Sequence, residues 1–286
     1  YIISLSSSSD KSKNGIIMRM TEIKIRNKGF IKLLDELRIA AEEWIDKPEK
    51  REALDMMLKK HLEKQNPYQR EEANKGRHDG PGEAFSGFDI HKKYEKEDPC
   101  HMDIYNWMIE ETKKHGLGAQ LTNGYPSFEN MVSYVNITQE PYYDGSLDVI
   151  KDISYKYLGG NSLALAAFYP PGGYIGWHNN SNAPGYNILL HYNWGGEGNF
   201  YTVEDGKRIA YPDRPNEWVG RAGDFVGFGD AKNPRNEKSN IRHVDKEEDL
   251  SWHAAHTPDT WRFTLSTIIN DEYLREDVID EIESEC

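Results

Sequence analysis

The stretch LALAAFYPPGGYIGWH, residues 163–178, is the part of the chain that decides the fold. Two short apolar runs, residues 163–169 and 174–178, flank the turn-forming residues Pro-Pro-Gly-Gly, which is the pattern of two short strands. Further runs of the same kind follow at 186–192, 198–203, 224–228, 251–255 and 262–269. Seven short strands without long helices between them predict a sandwich or jelly roll.

The residues before this region follow a helical pattern. Apolar residues in 30–44 recur at helical spacing, and the pattern continues through Leu54, Met57, Leu58 and Leu62. Asp103 is a candidate N-cap for a helix that runs to about His115, residues 132–137 alternate like a strand, and 147–158 predict another short helix. Helices followed by a β-rich core predict the α+β class.

These patterns divide the chain into four predicted parts. They are an N-terminal segment at 1–28, a mainly helical supporting region at 29–158, a β core at 159–270, and an acidic C-terminal helix or tail at 271–286. The last part carries eight acidic residues against one arginine, so it accounts for more than half of the net charge of −13. The β core is therefore close to neutral.

Composition limits the partners that we expect. No basic stripe of the kind that steers proteins to phosphate backbones is present, so nucleic acid is not an expected partner. The chain has no apolar run near 18 residues and no signal-peptide pattern, so we expect no membrane association. Two cysteines do not make a disulfide framework, which favours a reducing, cytoplasmic setting.

A series of short motifs follows in order through the β core. They are Tyr169-Pro170-Pro171-Gly172, His178 with Asn180 two residues on, Gly195-Gly196-Glu197, Gly223-Asp224-Phe225, His253, and Arg262 nine residues later. In order and spacing they resemble the prolyl-4-hydroxylase-like branch of the Fe(II)- and 2-oxoglutarate-dependent dioxygenases. The resemblance implies a double-stranded β-helix core, that is, a cupin-like jelly roll.

The resemblance also implies roles for single residues. His178, His253 and the residue at position 180 would form a facial triad of catalytic Fe(II) ligands. Arg262 would pair with the far carboxylate of the co-substrate 2-oxoglutarate, and Thr264, on the same strand face, would donate a hydroxyl. Tyr169 would line the co-substrate or substrate. With O2, such a site hydroxylates a protein side chain or a small molecule.

Position 180 departs from the family pattern, because the expected aspartate is Asn180. A neutral amide oxygen is a poorer ligand for a dication than a carboxylate. Three interpretations stay open: Asn180 binds iron weakly in an active enzyme, the position is vacated for another ligand as in the related halogenases, or the site is a degenerate, non-catalytic binding module. A metal-dependent cupin isomerase is a further alternative, although it would not need Arg262 at this spacing.

Other residues compete for the same roles. His256 and His243 are alternatives to His253, and His191 or Tyr192 are candidates for contact with the co-substrate. Four tryptophans are candidates for either a substrate-stacking wall or the barrel core: Trp177, Trp194, Trp252 and Trp261. The polar segments 66–100 and 232–249 are candidates to cover the mouth of the site.

Overall fold

A computed structural model of the chain describes residues 20–64, 93–94, 96–115, 132–133, 135–136, 144–160, 163–180, 184–228, 243–269 and 271–285. Within these ranges the protein combines helices with antiparallel sheets. The predicted covering segments fall mostly outside the described residues, because 65–92, 95 and 229–242 are not among them.

The described helices are α1 (Lys28–Asp46), α2 (Pro48–Lys64), α3 (Met102–His115), α4 (Val149–Tyr157) and α5 (Glu272–Glu283). Helix α1 begins where the side chain of Asn27 accepts a hydrogen bond from the Phe30 amide at 3.0 Å. Its buried side chains recur every three or four residues, from Phe30 through Leu34 and Leu37 to Trp44, so one face packs inward. None of the described helices is long and apolar enough to cross a membrane.

The strands form two larger sheets and one small pair. Their bounds are β1 (Thr21–Ile23), β2 (Val132–Ser133), β3 (Val135–Asn136), β4 (Leu163–Tyr169), β5 (Gly173–His178), β6 (Gly185–Asn193), β7 (Asn199–Glu204), β8 (Lys207–Pro212), β9 (Trp218–Phe225), β10 (Gly227–Phe228), β11 (His243–Val244), β12 (His253–Thr257) and β13 (Arg262–Ile269). The first sheet has the order β1-β9-β6-β13-β4-β3 and the second β2-β5-β12-β7-β8. Both are antiparallel throughout, whereas β10 and β11 form a parallel pair.

Strand alternation divides the apolar residues into three layers. One face of the first sheet packs on α1, α2, α4 and α5, and we call this layer the helix-side core. One face of the second sheet packs on α3, and we call this layer the α3-side core. The remaining faces meet each other, because Tyr169, Leu189 and Phe225 of the first sheet cluster with Ile175, Phe200 and Ala255 of the second. We call the space between these two faces the interior.

The strands differ from the predicted set in several places. Strands β1 and β11 were not predicted, and β2 and β3 lie in different sheets where a single strand was predicted at 132–137. Strand β8 was not predicted, because its sequence, KRIAYP, lacks a continuous apolar run and it lies at the edge of its sheet with little burial. The strand predicted at 224–228 is wrong in its bounds: β9 already begins at Trp218, and a break at Val226 separates it from β10. Two glycines and Arg221 interrupt the apolar pattern of β9. The sequence pattern therefore did not predict the first half of this strand.

Residues near the two ends of the described chain are joined by a seam. The backbone amides of Arg26 and Asn27 both donate to the carbonyl of Ile282 at 3.0 Å. The side-chain amide of Asn27 donates to the Glu281 carbonyl at 3.2 Å and to the Ser284 hydroxyl at 3.1 Å. The same asparagine therefore caps α1 and holds the end of α5.

Helix α1 contributes to the stability of the whole protein, and two substitutions on it test this. Leu37 is fully buried in the helix-side core, whereas Ile39 is 52% exposed on the same helix. We expect Leu37→Ala to lower the free energy of unfolding by about 2–5 kcal/mol, because it leaves a cavity in a packed layer. Ile39→Ala should change it by about 0.5 kcal/mol or less. Urea unfolding of both variants measures the difference, and equal losses would contradict this packing.

Candidate metal and anion site

Two histidines meet where β5 ends and β12 begins. His178 is the last residue of β5, His253 is the first of β12, and the two are directly paired across the antiparallel ladder. Their ring centroids lie 4.0 Å apart with the planes inclined at 56°. Although 75 residues separate them in the sequence, the second sheet places both imidazoles side by side.

Each ring is fixed in the same tautomer by a backbone carbonyl. The Nδ1 atom of His178 lies 2.8 Å from the Gly176 oxygen, and the Nδ1 atom of His253 lies 2.7 Å from the Ser251 oxygen. A carbonyl only accepts, so Nδ1 carries the proton when it makes this bond, which leaves the lone pair of His253 on Nε2. The side chain of His178 also forms a hydrogen bond with the backbone of His253. A carbonyl at Nδ1 is the arrangement that orients histidine for metal ligation through Nε2.

Both rings are neutral near pH 7. Burial lowers the pKa of His178 to about 4. Burial, together with the neighbouring His178, holds the pKa of His253 well below its usual range. Neutral imidazoles are the form that binds a metal.

Asn180 completes the group. Its side-chain amide nitrogen lies 3.5 Å from Nε2 of His253. A half-turn about the Cβ–Cγ bond exchanges the amide nitrogen for the carbonyl oxygen, which is the atom that a cation requires. Among the described residues, no three His, Cys, Asp or Glu side chains are grouped to hold a metal. Asn180 is therefore the candidate third ligand beside the two histidines.

A second polar group is buried in the interior around Arg262, the first residue of β13. Its Nε donates to an oxygen of Asp213 at 2.7 Å, and its Nη1 donates to the Thr264 hydroxyl at 2.6 Å. The guanidinium also lies over the Tyr169 ring, 5.4 Å from its centroid. The structure thus brings together Arg262, Thr264 and Tyr169, the three residues predicted to bind the co-substrate.

Asp213 connects Arg262 to a second buried arginine. Its other oxygen accepts from Arg221 at 2.5 Å, and Arg221 also donates to the carbonyls of Tyr211 and Pro212. Burial alone would raise the pKa of the Asp213 carboxyl, but the adjacent positive charges, led by Arg262, hold it well below its usual range. Two guanidiniums and one carboxylate leave this buried cluster with a net charge of +1.

Two nitrogen atoms in the same cluster lack a hydrogen-bond partner among the described residues. They are Nη2 of Arg262 and Nε2 of His191, and both are buried. The other ring nitrogen of His191 lies 3.2 Å from the Thr264 hydroxyl. Burial, and then the positive charge of Arg262, hold the pKa of His191 well below its usual range, so the ring is neutral. A buried guanidinium N–H without an acceptor is costly, and an anion would satisfy it.

Aromatic rings join the two polar groups. The Phe200 ring stacks on His191 at a centroid distance of 6.2 Å and on His253 at 5.5 Å. On another side of His253, Phe225 stacks at 4.4 Å with the ring planes 4° apart. The histidine pair and the arginine cluster therefore face one interior, with Phe200 between them.

The competing residues lie elsewhere. His256 is on the other face of β12, where the charges of Asp98 and Arg208 act on it. His243 begins β11 and pairs with Gly227. Tyr192 contacts Trp194 and Trp218 on the helix side of β6, whereas His191 faces the interior.

The tryptophans pack in the two outer layers. Trp177 and Trp252 belong to the α3-side core, where both contact Tyr105 edge-on. Trp194 and Trp261 pack in the helix-side core. None of the four tryptophans belongs to the apolar cluster of the interior. They therefore form part of the protein core and do not form a substrate-stacking wall in the interior.

Three residues of the interior were not singled out from the sequence. Asp213 and Arg221 complete the charged cluster, and Asn187 of β6 is fully buried with its side-chain oxygen unpaired among the described residues. Strand alternation offers a partial signal, because Asn187 and His191 occupy the same face of an otherwise apolar strand. Nothing in the sequence indicates that Asp213 meets two arginines.

Comparisons with known proteins assign no family to the chain. No protein-family profile matches it, and no curated protein sequence matches it. Among solved structures it is similar to the crystal structure of a predicted oxalate decarboxylase from Thermotoga maritima, with 17% identity and a TM-score of 0.21 over 40% of this chain and 74% of that one.

Proposed function

We propose that this protein is an Fe(II)- and 2-oxoglutarate-dependent oxygenase of the prolyl-hydroxylase-like type. The observation that carries the proposal is the histidine pair: two neutral, buried imidazoles at a centroid distance of 4.0 Å, each held at Nδ1 by a backbone carbonyl. The proposed substrate is a C–H bond of a protein side chain or a small molecule.

The proposed fold of the core is a double-stranded β-helix. Its support is the strand order, in which β4, β5, β6 and β7 fall alternately into the first and second sheets. The return strands β9, β12 and β13 alternate in the same way and pair beside the earlier ones. This winding would bring the ends of β5 and β12 together at one mouth of the interior.

The donor set fits Fe(II), with two imidazoles and an amide oxygen from His178, His253 and Asn180. Two nitrogen ligands and a neutral oxygen form a weaker set than the usual triad with a carboxylate. We therefore propose that the protein binds iron less tightly than oxygenases with an aspartate at this position.

The arginine cluster fits the far carboxylate of 2-oxoglutarate. Arg262 would donate through Nη2, which has no acceptor among the described residues, and Thr264 or His191 would contribute the neighbouring hydrogen bond. Tyr169 would line the chain of the co-substrate beside the guanidinium. The cluster lies beyond Phe200 from the histidines, so one molecule spanning both groups would pass this ring.

With iron bound, 2-oxoglutarate and O2 would supply the oxidising power for hydroxylation. One oxygen atom of O2 would enter the product hydroxyl and the other would enter succinate, which forms from 2-oxoglutarate with release of carbon dioxide. The residues of this chain would orient the bound groups and exclude water from the site. Phe200 and Phe225 both stack on His253, and both phenylalanines are buried. The backbone carbonyls of Gly176 and Ser251 would keep each histidine in the ligating tautomer through the reaction.

A second candidate function is a non-catalytic binding module that retains the anion site. Asn180 favours this alternative, because it leaves the histidine pair without a carboxylate. In that case the arginine cluster would bind a carboxylate and the histidines would hold no metal.

The two functions are distinguished by anaerobic titration with Fe(II) and 2-oxoglutarate. We expect the visible charge-transfer band of the chelated complex to appear in the wild-type protein. It should disappear in His178→Ala, and His101→Ala serves as the matched control because that ring stacks on Tyr94 outside the interior. Absence of the band, with no metal binding by calorimetry, would overturn the oxygenase and support the binding module.

A further inference from the structure

The buried cluster contains a second guanidinium that the proposed co-substrate contact does not use. Among the described residues, the hydrogen bonds of the two Arg221 Nη atoms stay within the cluster: one donates to Asp213, and the other donates to the carbonyls of Tyr211 and Pro212. Nη2 of Arg262, in contrast, has no partner among the described residues. The two arginines therefore share the charge of the interior, whereas the Nη atom without an acceptor belongs to Arg262.

Asp213 is shared between the two arginines. It is 6% exposed and gives one oxygen to Arg221 at 2.5 Å and the other to Arg262 at 2.7 Å. If Arg221 were absent, Asp213 would neutralise Arg262 alone and the cluster would carry no net charge. With both arginines present, a charge of +1 remains to be balanced.

Few other charges act on the cluster. His191 is neutral, and Glu22, the other acid that acts on Arg221, is more than half exposed and forms an ion pair with Arg214. Solvent screens such an exposed pair, so the buried charges dominate the potential in the interior.

We propose that Arg221 and Asp213 together set the interior at a net charge of +1, and thereby make the Arg262 site select a single carboxylate over a phosphate dianion. A carboxylate brings the charge to zero, whereas a phosphate dianion leaves an unbalanced negative charge in a low-dielectric space. This inference rests on the role given to Arg262 in the proposed function. It does not require iron.

Substitutions at Arg221 test the charge without changing the residue that contacts the ligand. R221Q removes the charge and keeps an amide that donates to the neighbouring carbonyls, whereas R221K keeps the charge as the matched control. Glutaramate, the monoamide of glutaric acid, is the probe, because it carries a single carboxylate and lacks the keto group that chelates iron, and calorimetry with iron-free protein measures its binding at pH 7.5. We expect R221Q to weaken glutaramate binding by roughly tenfold or more, and R221K to stay within about threefold of wild type.

The wild-type protein provides a second test, in case R221Q does not fold. Inorganic phosphate is mainly a monoanion at about pH 6 and mainly a dianion at about pH 8. We expect phosphate to compete with glutaramate more strongly at the lower pH. Stronger competition at the higher pH, or equal glutaramate affinity in R221Q and R221K, would overturn the proposal.

Failure of this inference is distinguishable from failure of the proposed function. If wild type binds glutaramate with the expected charge dependence but gives no Fe(II) and 2-oxoglutarate band, the carboxylate site stands and the oxygenase fails. If the band forms and R221Q binds glutaramate like wild type, the oxygenase stands and the charge-setting role of Arg221 is wrong. If wild type binds no glutaramate at all, the carboxylate selectivity is overturned.

Discussion

Replacing Arg262 with methionine is expected to lower the affinity for 2-oxoglutarate by about 100-fold or more. The variant removes the buried guanidinium whose Nη2 has no acceptor among the described residues. It also reduces the charge of the cluster from +1 to zero. Asp213 keeps its contact with Arg221, so the carboxylate is not left unpaired. The measurement is the dependence of the charge-transfer band on 2-oxoglutarate concentration at saturating Fe(II).

Two other arginine variants show whether the loss is specific. Arg214→Met removes an arginine of the surface, where it pairs with Glu22 and Glu217, and should leave the affinity unchanged. Arg262→Lys should recover only part of the affinity, because an ammonium cannot bond Asp213, Thr264 and a carboxylate with one planar fork. If Arg262→Met binds 2-oxoglutarate as tightly as wild type, the co-substrate lies elsewhere.

Introducing a carboxylate by Asn180→Asp is expected to tighten Fe(II) binding by roughly 100-fold or more. Changing a residue that only orients a metal ligand alters affinity by roughly 10–100-fold, so changing a ligand itself should reach the upper end of this range. The physical reason is that an anionic oxygen replaces a neutral one beside the neutral rings of His178 and His253. Anaerobic calorimetry with Fe(II) alone, before 2-oxoglutarate is added, provides the measurement.

Asn180→Leu is the control for this substitution, because it removes the oxygen without adding charge. It should bind Fe(II) more weakly than wild type if the amide oxygen is a ligand. Equal Fe(II) affinity in the aspartate, leucine and wild-type proteins would mean that residue 180 does not face the metal, and the proposed triad would then be wrong.

The sequence indicated the parts of the site that lie on regularly patterned strands. His178 ends one short apolar run and His253 lies inside another, and Arg262 and Thr264 share one face of a third. For such residues, local pattern gives both the element and the side of it that a residue occupies.

The rest of the cluster depends on contacts that local pattern does not encode. Asp213 lies after β8 at an edge of the second sheet, and Arg221 lies within the glycine-interrupted part of β9. Among 48 acidic and 35 basic residues, spacing along the chain does not identify which carboxylate will meet two guanidiniums. Only the pairing of β6 with both β9 and β13 brings Arg221 and Arg262 into one interior.

The seam at Asn27 has a consequence for how the protein folds. The bond between Asn27 and Glu281 joins residues 254 positions apart, and the bond between Lys24 and Glu283 joins residues 259 apart. Such contacts raise the contact order and close a very long loop, which slows folding. During synthesis α1 leaves the ribosome long before its partner exists, so its capping asparagine completes its contacts only when α5 has emerged. Docking of α5 therefore follows the synthesis of all the chain between the two helices, and until then the helix-side core lacks the side chains that α5 contributes, Val278 and Ile282.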